Sequence, residues 1–126
     1  LESMADVCYK LARTIEKKNE HKAWFTQEQR NNIQELAQLV FQSLTFMQWH
    51  LSANKSLSIE EAEKNEAAIN ILRIKLIEDN MKDLHEKKYP VISGNYYQQM
   101  VVYYEKLGDH AINVIEAIHK SRKASN

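Results

Sequence analysis

The sequence contains few of the residues that form turns and crosslinks. Its 126 residues include two glycines, one proline and a single cysteine, Cys8. One cysteine excludes an internal disulfide bond and a zinc site built from cysteines, and it is typical of a reducing compartment. Because Cys8 lies on an apolar helical stripe, we expect its thiol to be packed in the core and chemically inert.

The sequence also lacks an excess of charge and a long apolar run. Lys and Arg number 17 together, as do Asp and Glu, so no general attraction to nucleic acid or to an anionic membrane surface is expected. No apolar run reaches the roughly 18 residues of a membrane span, and the N-terminus does not resemble a signal peptide. We therefore predict no nucleic-acid partner and no insertion of this segment into a membrane.

Apolar residues recur at steps of three and four along most of the chain, which predicts an all-α protein. Capping-box patterns begin at Thr26 and Ser58, and Pro90 and Gly94 are expected to separate the last two helices. Short connections and the three-four spacing predict antiparallel neighbours, and hence an up-down helical bundle. The four predicted helices cover about residues 2–19, 26–54, 58–88 and 95–122.

Two pairs of carboxylates occur in the same register near the two ends of the chain. Glu105 and Asp109 lie one helical turn apart, and Glu2 and Asp6 repeat this spacing at the start. Like charges four residues apart on a helix cost roughly a few tenths of a kcal/mol, so a compensating partner is expected. The repetition indicates that residues 1–19 are the closing helix of a preceding copy, followed by a three-helix repeat over residues 26–122.

Helical phase places Glu105 and Asp109 on a lateral face of the last helix, away from the core. Gly108 lies between them, and glycine inside a helix costs about 0.5–1 kcal/mol relative to alanine, which indicates a packing or functional reason. Glu66 and Asn70 form a similar pair on the third helix. Carboxylate clusters bind Mg²⁺, Mn²⁺ or Ca²⁺, and also iron or zinc when imidazole or water completes the shell. Patches of solvated acid are the alternative interpretation.

The stretch YEKLGDHAINV, residues 104–114, resembles the acidic signature of PhoU domains, which are helical-bundle regulators of phosphate uptake. Residues 66–72 resemble the second acidic motif of that family, with Asn70 where an aspartate is usual. The resemblance implies spectrin-like three-helix repeats that bind iron, zinc, manganese or magnesium ions. It implies a site in this repeat formed by Glu105, Asp109, Glu66 and Asn70, with Glu2 and Asp6 as the remnant of the preceding site.

Within that family, the acidic start, the lysine-rich link and the helix opening at Phe25 and Thr26 are most similar to the cytoplasmic C-terminal region of sodium-phosphate cotransporters. This resemblance implies a non-catalytic regulatory domain at the cytoplasmic face of the inner membrane, as part of a longer membrane protein. Its partner would be the membrane portion of the transporter or a phosphate-signalling protein. A free-standing PhoU-type regulator of phosphate transport is the alternative within the family.

Two other classes of protein remain open. Glu116 and His119 have the Glu-x-x-His spacing of ferritin-like di-iron enzymes, which require two such motifs. No Ser-His-Asp arrangement and no glycine-rich phosphate loop accompanies them, so the sequence does not predict an enzyme. A helical module for interaction with another protein or for homodimerisation, whose acids only form a solvated face, is the second class, because aromatic residues suit an interface. The aromatic residues in question are Trp49, Tyr96, Tyr97, Tyr103 and Tyr104.

Overall fold

The computed structural model describes residues 2–125, which form four α-helices. Helix α1 spans Met4–Glu20, α2 spans Gln27–Ser52, α3 spans Glu60–His85 and α4 spans Val91–Ser125. Within residues 2–125 there is no β-strand, so the predicted all-α class is confirmed. None of these four helices is long and apolar enough to cross a membrane.

Helix α4 is the central element of the fold. It packs against α1, α2 and α3, and α2 and α3 also pack against each other. Within the described chain, α1 packs against no helix other than α4. Side chains from all four helices meet in one apolar core, which includes Val7, Leu11, Leu36, Val40, Ile69, Leu76, Tyr97, Met100, Val101 and Leu107.

Helix α1 presents a narrow stripe to α4. Val7, Leu11 and Thr14 are buried along this stripe, and Met4 packs at its margin. Cys8 lies one residue beyond the stripe and is exposed, so the expectation of a packed thiol is wrong. Because α1 has a single helix neighbour, a side chain about 100° away from the centre of its stripe stays in solvent.

The connection between α3 and α4 is shorter than predicted. Helix α4 begins at Val91, directly after Pro90, and Gly94 lies buried inside its first turns. A methyl group at position 94 would lie 2.5 Å from Leu84 Cδ2. The prediction that Gly94 breaks the helix is therefore wrong, because the glycine is needed for close packing against α3 and not for a turn.

The two predicted capping boxes have different outcomes. Thr26 Oγ1 accepts a hydrogen bond from the Gln29 amide at 3.1 Å, and Gln29 Oε1 accepts one from the Thr26 amide at 2.8 Å. The capping box at Thr26 is thus confirmed. The one at Ser58 is wrong, because α3 has Ile59 as its N-cap residue and no side chain caps it. Ser58 Oγ instead accepts a bond from the Glu60 amide at 3.3 Å.

Candidate metal centre

The candidate centre lies at a close contact between α3 and α4. Gly108 is buried in α4, and a methyl group there would lie 3.0 Å from Ile69 Cδ1 on α3. This close approach brings Glu66 of α3 beside Glu105 and Asp109, which lie one turn apart on α4. Each of the three carboxylates offers one oxygen atom, and these atoms lie within 4.8 Å of one another. We refer to these three residues as the acidic cluster.

Glu66 is the most strongly perturbed member of the acidic cluster. Its Oε2 atom is buried and has no hydrogen-bond partner among the described residues. Burial, followed by the charges of Asp109 and Glu105, raises the pKa of Glu66 to about 7, while a hydrogen bond from Asn70 opposes the shift. At neutral pH the carboxyl group therefore exchanges between its protonated and ionised forms.

Glu105 has a cationic neighbour, but a distant one. Its side chain is 19% exposed, and its Oε2 atom lies 3.9 Å from Nε of Arg73 on α3. This distance is too long for a hydrogen bond, and Arg73 Nε is buried without a hydrogen-bond partner in residues 2–125. Burial raises the pKa of Glu105, the guanidinium group of Arg73 lowers it, and Asp109 raises it. Lys106 also lowers the pKa of Glu105, but neither its charge nor that of Arg73 outweighs the effect of burial.

The surroundings of the cluster differ from the solvated lateral face that helical phase predicts. Asp109 is exposed, as expected, whereas Glu105 and Glu66 are half-buried. The difference arises because α3 covers one flank of α4. The helical phase of α4 alone does not show which neighbouring helix covers it. Arg73 was not predicted, although it follows Glu66 by seven residues and so lies on the same face of α3.

Asn70 lies at the margin of the cluster. It follows Glu66 by one turn of α3, is half-buried, and hydrogen-bonds to Glu66. An amide oxygen is a neutral ligand for a hard cation and supplies no compensating charge. Any role of Asn70 at the centre is therefore that of a neutral ligand or a positioning residue.

The structure gives the two acids of α1 partners of their own. Glu2 accepts a hydrogen bond from Lys106 Nζ at 3.2 Å and is also paired with Lys10. These two lysines lower its pKa. Asp6 forms a capping box with Ser3, in which the Asp6 amide donates to Ser3 Oγ at 3.1 Å. Because α1 does not pack against α3 in the described chain, α3 supplies no carboxylate to this pair.

The Glu-x-x-His motif of α4 does not assemble into a similar group. Glu116 is exposed, and His119 Nδ1 lies 3.3 Å from the carbonyl oxygen of Leu57. Within residues 2–125, the acidic cluster is the one group of three or more His, Cys, Asp or Glu residues with converging ligand atoms. The structure thus concentrates ligand chemistry at the contact between α3 and α4.

The chain was also compared with known proteins. No family model matches it, and no curated protein or solved structure gives a significant match. The resemblance to PhoU domains consequently remains a prediction, which depends on the acidic motifs in residues 66–72 and 104–114.

Proposed function

We propose that this chain is a non-catalytic regulatory module of phosphate uptake, PhoU-like in its fold, which acts through a metal ion bound at the acidic cluster. One observation carries the proposal. Two acidic motifs that are far apart in sequence lie side by side on α3 and α4, and their carboxylate oxygens lie within 4.8 Å of one another. This is the pairing of motifs that the resemblance to PhoU domains implies.

We further propose that the helices form an antiparallel up-down bundle, with α2 to α4 as one three-helix repeat and α1 as the closing helix of a preceding repeat. Contacts near the helix ends support this arrangement. Asn80, near the end of α3, bonds to Gly94 near the start of α4, and Arg122 near the end of α4 bonds to His50 near the end of α2. The attachment of α1 to α4 alone also fits an element added to a three-helix unit.

A bound cation would offset the repulsion between the three carboxylates of the acidic cluster. Glu66, Glu105 and Asp109 would supply carboxylate oxygens and Asn70 an amide oxygen, which is a donor set for Mg²⁺ or Mn²⁺, and for iron or zinc if water completes the shell. The buried Oε2 atom of Glu66, which has no partner in residues 2–125, would gain one. Metal binding would change the charge of the surface around the exposed Asp109, and a partner protein could bind this surface differently in the two states.

The partner that fits the resemblance is the membrane portion of a sodium-phosphate cotransporter, with this chain at the cytoplasmic face of the inner membrane. A free-standing regulator that binds a phosphate-signalling protein is the alternative. The parent reading frame distinguishes the two. About eight apolar spans upstream of this chain would favour the cotransporter, and a short chain without spans would favour the free-standing regulator.

Metal titration of the purified chain tests the cluster. We expect Mn²⁺, Zn²⁺ or Fe³⁺ to bind in calorimetry and to raise the unfolding temperature, because a ligand that binds only the folded state stabilises it. Glu105→Ala/Asp109→Ala should abolish both effects. The matched control is Glu16→Ala/Glu20→Ala, an exposed acidic pair on α1 with the same spacing. A third variant, Glu2→Ala/Asp6→Ala, reports whether the α1 pair contributes. Absence of binding, or equal binding in the first variant and the control, refutes the metal centre.

Uptake of radiolabelled phosphate tests the regulatory role separately. In cells that express the parent protein, Glu105→Ala/Asp109→Ala should change the rate of uptake at unchanged protein abundance, whereas Glu16→Ala/Glu20→Ala should not. If the metal binds but uptake is the same in both variants, the cluster is a metal site without this regulatory role.

A homodimeric interaction module receives limited support from the aromatic residues. Tyr96 and Tyr97 are buried and Tyr103 and Tyr104 are half-buried, whereas Trp49 is 56% exposed. Four of the five aromatic side chains therefore pack largely against other residues of this chain, and only Trp49 is mostly exposed. Light scattering of the purified chain over a range of concentrations measures whether the remaining exposed surface supports a dimer.

A further inference from the structure

A second site lies where α2 ends and α3 begins, on the turns of α3 that precede Glu66. A cavity of about 250 Å³ opens there between the two helices. Helix α2 contributes Phe46, Trp49 and His50 to its wall, and the start of α3 contributes Glu60 and Glu61. We call it the Trp49 cavity. The cavity is smaller than the roughly 300–1,000 Å³ of pockets for drug-sized ligands, so its ligand must be small.

Two aromatic rings line the Trp49 cavity. The ring centroids of Phe46 and Trp49 lie 5.6 Å apart at an interplanar angle of 73°, which is an edge-to-face pair. Trp49 is 56% exposed, although a large apolar ring is normally placed where it is buried. The faces of aromatic rings carry negative electrostatic potential and attract cations, with tryptophan the strongest of the three aromatic types.

His50 supplies a polar group to the same wall. The residue is 4% exposed, and its carbonyl oxygen accepts a bond from Arg122 at 2.7 Å. Burial lowers the pKa of His50, and His119 and Arg122 lower it further. The ring is therefore neutral at neutral pH, and a neutral imidazole has one nitrogen that accepts a hydrogen bond.

Carboxylates set the charge at the mouth of the Trp49 cavity. Glu60 and Glu61 are both exposed. Glu60 lies 3.5 Å from Lys64, in a pair whose side chains are each 74% exposed, which is a weak interaction. No ion pair of Glu61 is present in the described chain. Arg122 donates to the carbonyl oxygens of His50 and Lys55; its charge acts on the His50 ring, but its side chain does not line the cavity.

We propose that the Trp49 cavity binds a small primary alkylammonium ion. The ammonium group would lie against the rings of Phe46 and Trp49 and donate a hydrogen bond to the acceptor nitrogen of the His50 ring. Glu60 and Glu61 would supply opposite charge at the mouth, and they disfavour an anion. The cavity shares no lining residue with the acidic cluster, and the proposal does not rest on the proposed function.

Titration with n-butylammonium chloride tests the proposal, monitored by chemical shifts of the two tryptophan indole N–H groups at pH about 8, where imidazole is neutral and the amine is charged. We expect a saturable shift at Trp49 and none at Trp24. Trp49→Leu should weaken binding about two- to fivefold, the range expected when a cation–π contact at an exposed site is lost. Glu61→Gln should weaken binding in the same direction, with binding in both variants followed through backbone amide shifts.

The controls separate a cation site from general hydrophobic binding. Trp24→Leu removes the other exposed tryptophan, which is 51% exposed and does not line the cavity, and it should leave the affinity unchanged. The neutral n-butanol should not compete, and tetramethylammonium, which cannot donate to His50, should bind more weakly. The proposal is overturned if n-butylammonium does not saturate the shift, if butanol competes equally, or if the Trp49 and Trp24 variants behave alike. Circular dichroism checks that each variant is folded.

Discussion

Gly108 on α4 faces Ile69 on α3 so closely that a methyl group at position 108 would lie 3.0 Å from Ile69 Cδ1. The same methyl group would lie 3.6 Å from Glu66 Oε2. Ile69 is completely buried, so it has little room to move. The missing side chain at Gly108 therefore sets the separation of α3 and α4, and with it the spacing of the carboxylates in the acidic cluster.

Gly108→Ala should lower the free energy of unfolding by about 1 kcal/mol. Alanine gains about 0.5–1 kcal/mol over glycine inside a helix, but crowding in a packed core costs about 1–3 kcal/mol. We expect the steric cost to exceed the gain, because Ile69 is enclosed on all sides. Urea denaturation, followed by circular dichroism, measures the difference.

Ile69→Val provides the control for that prediction, because it removes the Cδ1 atom that the new methyl group would meet. Alone it should cost about 0.5–1.5 kcal/mol. The double variant should lose less free energy of unfolding than the two single variants lose together, because the clash is gone. Strictly additive losses would show that contact with Ile69 is not the source of the effect.

Asn80 holds the connection between α3 and α4. It is 1% exposed, donates through Nδ2 to the Gly94 carbonyl oxygen at 3.1 Å, and accepts from the Tyr89 hydroxyl at 2.5 Å. Asn80→Leu should lower the free energy of unfolding by about 1–3 kcal/mol, because the buried Tyr89 hydroxyl loses its acceptor and the Gly94 carbonyl oxygen loses one of its donors. Tyr89→Phe removes one bond and should cost about 1 kcal/mol. An Asn80→Leu variant as stable as the exposed control Asn113→Leu would contradict this role.

His50 should make the fold less stable in mild acid. Burial lowers its pKa from the ordinary value of 6.5, so the unfolded chain binds a proton more readily than the folded chain. The contribution of His50 to stability is complete above pH 6.5 and declines as the pH falls through the lower folded pKa. His50→Gln should flatten this decline in urea titrations between pH about 8 and about 5. His85→Gln changes an exposed histidine and should leave the slope unaltered. Equal slopes in the two variants would exclude His50 as the cause.

Glu66 should act in the opposite direction. Its pKa is raised from 4.5 to about 7, so the folded chain retains a proton that the unfolded chain releases. Its contribution to stability is complete below pH 4.5 and is lost as the pH rises through about 7. Glu66→Gln, which stays neutral, should therefore be more stable than the unmodified chain above pH 7, and the gain should shrink on acidification. The comparison is made without metal ions, and Glu63→Gln on the exposed side of α3 is the control. A pH-independent difference would contradict the assignment.

Local sequence signals account for much of the helical framework. The apolar spacing predicts four helices, and the capping box at Thr26 is where the sequence places it. The predictions are wrong where the local sequence indicates one environment for a residue and the packed fold gives it another. Glycine is a residue that typically ends a helix, but Gly94 lies inside α4 and leaves room for the side chain of Leu84. Cys8 lies beside apolar residues, but α1 has too few neighbours to bury it.

The sequence likewise predicts one part of the candidate site, and the tertiary structure decides the other. The spacing of Glu105 and Asp109, and of Glu66 and Asn70, follows from the sequence, because residues four apart on a helix always share a face. That Glu66 joins Glu105 and Asp109 while Glu2 and Asp6 have other partners was decided only by the tertiary structure. Helical periodicity fixes directions around one axis, whereas the separation and rotation of two helices depend on how distant side chains fit. At the acidic cluster that fit is the contact of Gly108 with Ile69.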